Sequence, residues 1–249
     1  MLQFASLVKE YKGHKAVDGL SFTVNGGEIV GLLGPNGAGK TTAIRCAVGI
    51  LRPTDGAVYV YGHNVEESPA EAKSKLAFVP ELPALYELLT VDEHLRFIAM
   101  CFQRLDLYEQ HGEALLARYD LLDKKKSLVA TLSKGMRQKL AVACAFVHDT
   151  KVLVLDEPII GVDPAGVAEM KKALYEARDA GCAVLVSTHQ LDTAERLCDR
   201  VVILNKGKKL AEGTLEEIRA SRGQGEATLE DLFLQMTRES QDETPPIPG

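Results

Sequence analysis

Residues 34–42 read GPNGAGKTT, and the first eight of them match the phosphate-loop pattern G-x-x-x-x-G-K-[ST]. The apolar residues 28–33 come directly before this segment, and the helix-like residues 43–48 follow it. A strand, a glycine-rich turn and a helix N-terminus together present several backbone N–H groups to one anion. In such a loop Lys40 reaches the β- and γ-phosphates of a nucleotide, and the Thr41 hydroxyl binds Mg²⁺. The predicted phosphate-binding residues are Gly34, Pro35, Asn36, Gly37, Ala38, Gly39, Lys40, Thr41 and Thr42.

A pair of acids, Asp156 and Glu157, follows the aliphatic residues 152–155. Such a short aliphatic run is typical of a central parallel strand, and α/β proteins bind ligands at the carboxyl ends of these strands. Beside a phosphate loop, Asp156 is suited to hold Mg²⁺ through water, and Glu157 is the candidate general base that orients the attacking water. Two solvated acids that cap a strand are the alternative, which the upstream phosphate loop disfavours.

Residues 132–138 read LSKGMRQ, and here the chain resembles the ATP-binding-cassette (ABC) ATPases, whose own motif at this point is L-S-G-G-Q. Leu132, Ser133 and Gly135 match that motif, whereas Lys134 and Met136 depart from it. Ser133 is suited to cap a helix, and the Gly135 N–H is suited to meet a γ-phosphate. The resemblance covers residues 3 to about 220.

The resemblance implies roles for three further residues. His189 follows the buried run 183–186 and corresponds to the histidine with which the family senses the γ-phosphate. Glu81 stands where the family usually has glutamine as a metal and water contact; a glutamate also binds Mg²⁺ through oxygen, but it adds a charge. Tyr11 is either an ordinary half-exposed strand tyrosine or the aromatic residue that the family stacks on adenine.

The expected fold class is α/β, with a P-loop NTPase core, an N-terminal antiparallel β subdomain and an inserted α-helical subdomain. Residues 3–9, 20–24 and 29–33 are strand candidates separated by turn residues. Helical patterns fill residues 90–147, where Thr90 and Glu93 form a capping box.

We expect one nucleotide-binding domain over residues 1–220, with the helical subdomain at about 90–147 inserted into it. In residues 221–249, Gly223 and Gly225 separate two helices, and the second helix, residues 228–236, precedes a tail from Thr237 that is rich in proline and acids. This composition predicts a disordered C-terminus.

Composition restricts the partners and the compartment. The formal net charge is −6, which argues against nucleic acid as the main partner. The five cysteines are odd in number and form no C-x-x-C pair, as expected for reduced and mostly buried thiols in the cytoplasm. The N-terminus lacks the pattern of a signal peptide, and the longest apolar run, residues 140–147, is too short to span a bilayer. Together with these features, the resemblance implies a cytoplasmic protein that lies on the inner face of the membrane through a permease.

The resemblance implies an ATPase subunit of an exporter, with ATP and Mg²⁺ as cofactors and a separate transmembrane permease as partner. Residues 134–136 and the helix around residues 229–233 look like those of subunits that serve exporters with separate permease chains. The permease is expected on the loop at residues 82–89 and the helix that begins near Val91, although core packing explains that loop equally well.

The family also implies a head-to-tail dimer, formed with a second copy or with a related chain. In that dimer the phosphate loop of one subunit faces Ser133 and Gly135 of the other, and the loop at residues 161–164 crosses to the partner. The alternative is a soluble ABC ATPase that acts on ribosomes or DNA. Such relatives usually carry two cassettes or a long coiled-coil insertion, and this chain has neither.

Overall fold

The structure is a computed structural model that describes residues 1–221 and 227–242. The strands are β1 (Leu2–Tyr11), β2 (His14–Val24), β3 (Glu28–Leu33), β4 (Asp55–Val60), β5 (His63–Asn64), β6 (Leu76–Val79), β7 (Val152–Asp156), β8 (Ala183–Thr188), β9 (Arg200–Asn205) and β10 (Lys208–Gly213). The helices are α1 (Lys40–Ala47), α2 (Pro69–Ser74), α3 (Val91–Cys101), α4 (Leu105–Arg118), α5 (Lys134–Phe146), α6 (Pro164–Asp179), α7 (Leu191–Leu197), α8 (Leu215–Ser221) and α9 (Leu229–Asp242).

The central sheet has six strands in the order β10-β9-β3-β8-β7-β6, and all neighbours are parallel except β10 and β9. The strand β7 is buried along its whole length, and its side chains alternate between two apolar clusters on opposite faces of the sheet. Burial on both faces explains the unbroken aliphatic sequence of this strand. The register pairs Asp156 with Ser187 and Leu33 with Thr188, so the carboxyl ends of β3, β7 and β8 meet at one edge.

The second sheet is antiparallel, with four strands in the order β2-β1-β4-β5. Its inner side chains pack over α1, and Phe4 stacks on Phe22 with ring centroids 4.4 Å apart. The strand β2 begins at His14, earlier than the expected residue 20, because Lys12 and Gly13 adopt positive φ angles of 48° and 83° in a tight hairpin turn. The predicted α/β class with an N-terminal antiparallel sheet is confirmed.

The helices α3, α4 and α5 form a block that packs on β6 through α5. Thr90 and Glu93 form the predicted capping box, in which the Thr90 Oγ1 accepts from the Glu93 N–H at 3.2 Å. The helical pattern expected over residues 90–147 is interrupted, because α4 ends at Arg118 and two single 3₁₀ turns at Leu122–Lys124 and Val129–Thr131 lead into α5. The predicted helical insertion is therefore present, with irregular chain between its second and third helices.

The C-terminal helix α9 is longer than expected. The prediction of disorder from Thr237 is wrong for residues 237–242, which continue α9. A second capping box, Thr228 with Asp231, starts this helix, and Leu229, Leu232 and Met236 bury its inner face against α7 and β9. The expected glycine turn at residues 223–225 and the expected disorder of residues 243–249 lie outside the described residues. Within residues 1–221 and 227–242, no helix has the length and hydrophobicity to cross a membrane.

Candidate functional site

The phosphate loop lies between β3 and α1, where two neighbouring segments hold its backbone. A Cβ at Gly39, which has a φ of 104°, would meet the carbonyl oxygen of Ala16 in β2. The Gly207 N–H, in the turn between β9 and β10, donates to the Ala38 oxygen at 3.0 Å. Because the backbones approach this closely, residue 39 has to be glycine, and the loop is fixed before any ligand binds.

Lys40 is the first residue of α1, and its side chain turns back over the loop. Its Nζ donates to the carbonyl oxygen of Gly34 at 2.6 Å and to that of Pro35 at 3.2 Å. Burial lowers the pKa of Lys40, while the nearby charges of Glu157, Asp156 and Glu81 act against this shift. The Lys40 amine therefore lies near three carboxylates beside the phosphate loop.

The two acids at the end of β7 are buried and differ in their partners. Asp156 accepts a hydrogen bond from the Ser187 hydroxyl of β8. Glu157 adopts a φ of 47°, an uncommon angle for this residue type, and its N–H donates to the Ser187 carbonyl oxygen at 3.1 Å. This backbone turn sends the Glu157 side chain away from the strand.

The Glu157 carboxylate is oriented by a histidine. The His189 Nδ1 donates to the Glu157 Oε1 at 2.8 Å, while the His189 side chain stays 47% exposed. The second oxygen, Oε2, is buried and has no hydrogen-bond partner among the residues that the structure describes. A buried carboxylate oxygen with no protein partner is suited to bind a water molecule.

A cavity of about 380 Å³, the loop cavity, joins these groups. Its lining residues are Ala16, residues 36–42, Glu81, Glu157, Ile160 and His189. The structure thus brings together most of the residues predicted for the phosphates with Glu81, Glu157 and His189. Sequence reasoning missed Ala16 and Ile160, because neither carries a chemical group that marks it.

Six predicted site residues do not line the loop cavity: Gly34, Pro35, Asp156, Tyr11, Ser133 and Gly135, and the last three are the farthest from the predicted roles. Tyr11 is 44% exposed at the end of β1, with the Lys9 Nζ 5.2 Å from its ring centroid. Ser133 caps α5 as predicted, since its Oγ accepts from the Met136 N–H at 3.3 Å. Gly135 lies against the loop after Glu157, where a Cβ would come within 2.8 Å of the Gly161 oxygen. Their contacts with a nucleotide stay predictions.

The remaining predicted metal ligands are compatible with magnesium. Within residues 1–221 and 227–242, no group of three or more His, Cys, Asp or Glu side chains is arranged to hold a metal by itself. Mg²⁺ usually takes one or two carboxylates together with phosphate oxygens and water. Thr41, Asp156 and Glu81 all border one surface beside the phosphate loop, so this donor set fits Mg²⁺ bound with a nucleotide.

That surface is a second, larger cavity of about 660 Å³, the apolar groove. Its lining includes residues 80–86, Thr41, Arg45, His94, Ile98, Cys144, His148 and Asp156. Leu82 and Tyr86 are 69% and 57% exposed, whereas Leu85 is partly buried against the core. The sequence left two explanations for this loop, permease docking and core packing. Core packing accounts for Leu85 but not for the exposed Leu82 and Tyr86. Leu88 is 87% exposed and does not line the groove.

A glycine-rich loop at a helix N-terminus, two acids at the end of a neighbouring parallel strand and a histidine on the second acid define a phosphate-loop nucleoside triphosphatase. Residues 17–160 match the family model of the ABC transporters. The chain belongs to the ABC transporter family and is an ATP-binding subunit with the ATPase fold of that family.

The sequence similarity to known relatives extends over most of the chain. The ABC-type transporter ATP-binding protein EcsA of Bacillus subtilis is 38% identical over 240 residues, which cover 96% of this chain and 97% of EcsA. The daunorubicin/doxorubicin resistance ATP-binding protein DrrA of Streptomyces peucetius is 36% identical over 89% of this chain and 68% of DrrA. A solved ATP-binding subunit of an ABC transporter superposes with a TM-score of 0.92 at 37% identity and covers 95% of this chain and 99% of that one.

Proposed function

We propose that this chain hydrolyses ATP between two cassettes and thereby powers export through a separate membrane permease. The observation that carries this proposal is the shared wall of the two cavities, because Thr41 and Glu81 line both the loop cavity and the apolar groove. A partner seated in the groove would therefore sense the nucleotide directly. The similarity to DrrA, a drug-resistance ATP-binding protein, supports export as the direction.

In this proposal the loop at residues 34–42 holds the phosphates through its backbone N–H groups, and Lys40 leaves the Gly34 carbonyl for the β- and γ-phosphates. Thr41, Asp156 and Glu81 would hold Mg²⁺. When bound, this ion supplies positive charge against the triphosphate oxygens. The partly desolvated Lys40 adds a second positive charge, whose effect is strengthened by its burial.

Glu157 is the proposed general base. Its Oε1 is held by His189, so Oε2 is left to accept a proton from the water that attacks the γ-phosphate. The strained backbone at Glu157 keeps that oxygen in place, since Ser187 fixes the peptide on the strand side. His189 acts as an orienting donor that also meets the γ-phosphate.

The nucleotide site would be completed by a second cassette, either a copy of this chain or a relative, in a head-to-tail dimer. Ser133 and Gly135 at the exposed N-terminus of the partner's α5 would meet the γ-phosphate. The exposed ring of Tyr11 would stack on adenine. The loop at residues 161–164 would cross to the opposite subunit.

The permease would dock in the apolar groove and so hold the chain at the inner face of the membrane. The exposed Leu82 and Tyr86 supply apolar area to such a contact, and Tyr86 is braced by Phe97 of α3 with ring centroids 5.0 Å apart. Docking next to residues 80–86 would couple the permease to Glu81.

Membrane fractionation of cells that make the protein tests this proposal with a matched pair of variants. Leu82→Glu charges the groove and is expected to release most of the chain from the membrane fraction without loss of its ATPase activity. Leu88→Glu is the control, because this side chain is more exposed but lies outside the groove, and it should stay membrane-bound. A Leu82→Glu variant that still co-purifies with a hydrophobic partner chain would refute groove docking.

A further inference from the structure

Lys139 of α5 is a nearly buried lysine that faces two acids. Its side chain is 8% exposed, and its Nζ lies 2.7 Å from the Asp163 Oδ2 and 3.5 Å from the Asp120 Oδ2. Asp120 follows α4, and Asp163 caps α6. A buried cation is costly unless it is paired, so this lysine holds the ends of two other helices against α5.

Two glycines permit a close approach of α5 to the loop and helix start after Glu157. A Cβ at Gly135 would lie 2.8 Å from the Gly161 oxygen, and a Cβ at Gly166 would lie 2.5 Å from the Lys139 Cε. Gly135 and Lys139 are one helical turn apart and thus share a face of α5. The first two turns of α5 therefore pack directly on residues 161–166.

Asp163 connects this contact to the segment that follows Glu157, the proposed general base. Its Oδ1 accepts from the Gly166 N–H at 2.9 Å, and its Oδ2 takes the Lys139 ammonium. The Lys139 ammonium and this helix-capping bond lower the pKa of Asp163 to about 2, so its charge persists at neutral pH. The chain from Glu157 to Asp163 also carries Ile160, which lines the loop cavity.

We propose that Lys139 is a positioning residue for ATP hydrolysis, which through Asp163 fixes the loop at residues 157–163 to the turn of α5 that carries Ser133 and Gly135. Engagement of that turn by the partner's nucleotide is then transmitted to Glu157 of the same chain. The inference rests on the proposed function, because it requires a site shared by two cassettes.

Steady-state ATPase measurements on the purified chain test this inference. Lys139→Gln is expected to lower kcat about tenfold, while KM for ATP stays within about twofold, since the lysine touches no nucleotide group. The Hill coefficient for ATP should fall toward one. Lys139→Arg keeps the charge and should restore at least half of the wild-type kcat.

Asp163→Asn gives a second route to the same ion pair. Asparagine caps a helix as well as aspartate, so this variant removes the charge and keeps the start of α6. It should lower kcat to the same extent as Lys139→Gln, and the double variant should lose little more. This variant tests the ion pair even where Lys139→Gln does not fold.

Arg118→Gln is the matched control. Arg118 also links α4 to α6, through Glu169 at 2.5 Å and Glu176 at 2.7 Å, but farther along α6 and away from Asp163. It is expected to lower the melting temperature and leave kcat within about twofold. Equal kcat losses in Arg118→Gln and Lys139→Gln, a folded Lys139→Gln with wild-type kcat, or no rescue by arginine would each overturn the inference. Normal hydrolysis by Glu157→Gln would instead overturn the proposed function itself.

Discussion

The loop cavity and the apolar groove share Thr41 and Glu81 but are built in different ways. The wall of the loop cavity is mostly backbone and charged side chains, contributed by short loops at the carboxyl ends of parallel strands. The groove is lined mainly by apolar side chains from residues 76–86 and from α3 and α5. Polar groups set the chemistry of the first surface, and tertiary packing sets the shape of the second.

The two surfaces also differ in what holds them. Glu157 keeps its positive φ angle beside a backbone hydrogen bond to Ser187 of β8, and Gly39 keeps its own in close approach to the Ala16 carbonyl oxygen of β2, so neighbouring strands fix the wall of the loop cavity. The segment that borders the groove is tied at its far end, where the Arg137 side chain of α5 binds Glu87 at 2.8 Å and the Ala130 oxygen at 3.0 Å. Side chains of α3 and α5, rather than strand pairing, therefore hold the segment that borders the groove.

The largest expected effect lies in the loop cavity. Glu157→Gln keeps the hydrogen-bonding shape of the side chain but removes its basicity, so hydrolysis should fall by at least about 100-fold while ATP still binds. With ATP present, the variant should accumulate as a closed dimer. Phosphate release and light scattering after size-exclusion chromatography measure the two outcomes.

Glu109→Gln on the exposed face of α4 is the control and should behave as the wild type. A Glu157→Gln variant that turns over ATP normally would mean that another group activates the water, and the assignment of chemistry to the loop cavity alone would fail.

The next effect lies at the groove and concerns stability. His148 is buried and stacks on Phe102 with ring centroids 3.6 Å apart, and burial lowers its pKa to about 4. Between the ordinary pKa near 6.5 and this value the unfolded chain binds more protons, so the His148 contribution is complete above pH 6.5 and is lost as the pH falls toward 4. The pKa difference of about 2.5 units corresponds to a loss of about 3 kcal/mol, at ~1.4 kcal/mol per pKa unit.

His148→Phe removes the titrating group and should flatten that part of the pH dependence. Urea unfolding of both proteins at several pH values between 4 and 7 measures the difference in their free energies of unfolding. The contributions of all other titrating groups cancel in this difference. The free energy of unfolding of this variant could instead fall with decreasing pH as steeply as that of the wild type. His148 would then be accessible to solvent, and the groove around it would contain water.

The same contrast explains what the sequence could predict. Residues 34–42 and the Asp156–Glu157 pair lie in local patterns whose chemistry dictates the spacing, and the aliphatic run before Asp156 marks a strand buried on both faces. The helix cap at Ser133 is likewise a local signal. Such features need no knowledge of distant segments.

What escaped prediction depends on contacts between segments that are far apart in the chain. Ala16 lines the loop cavity only because β2 passes beside Gly39. The role proposed for Lys139 depends on its contacts with Asp163 and Gly166 at the start of α6. The extension of α9 to Asp242 was also missed, because the polar, acidic composition after residue 236 is typical of disordered chain.

The smallest expected effect belongs to Glu81, which lines both cavities. Its substitution tests how the two cavities are linked. If an oxygen atom is all that the site needs, Glu81→Gln keeps that oxygen and should change kcat by less than about threefold, because Mg²⁺ accepts amide oxygens as well as carboxylates. Glu81→Ala is the matched variant that removes the oxygen and should reduce turnover more. A loss of more than about tenfold (~1.4 kcal/mol) in Glu81→Gln would mean that the negative charge beside Lys40 matters, and the shared wall would then be an electrostatic as well as a mechanical link.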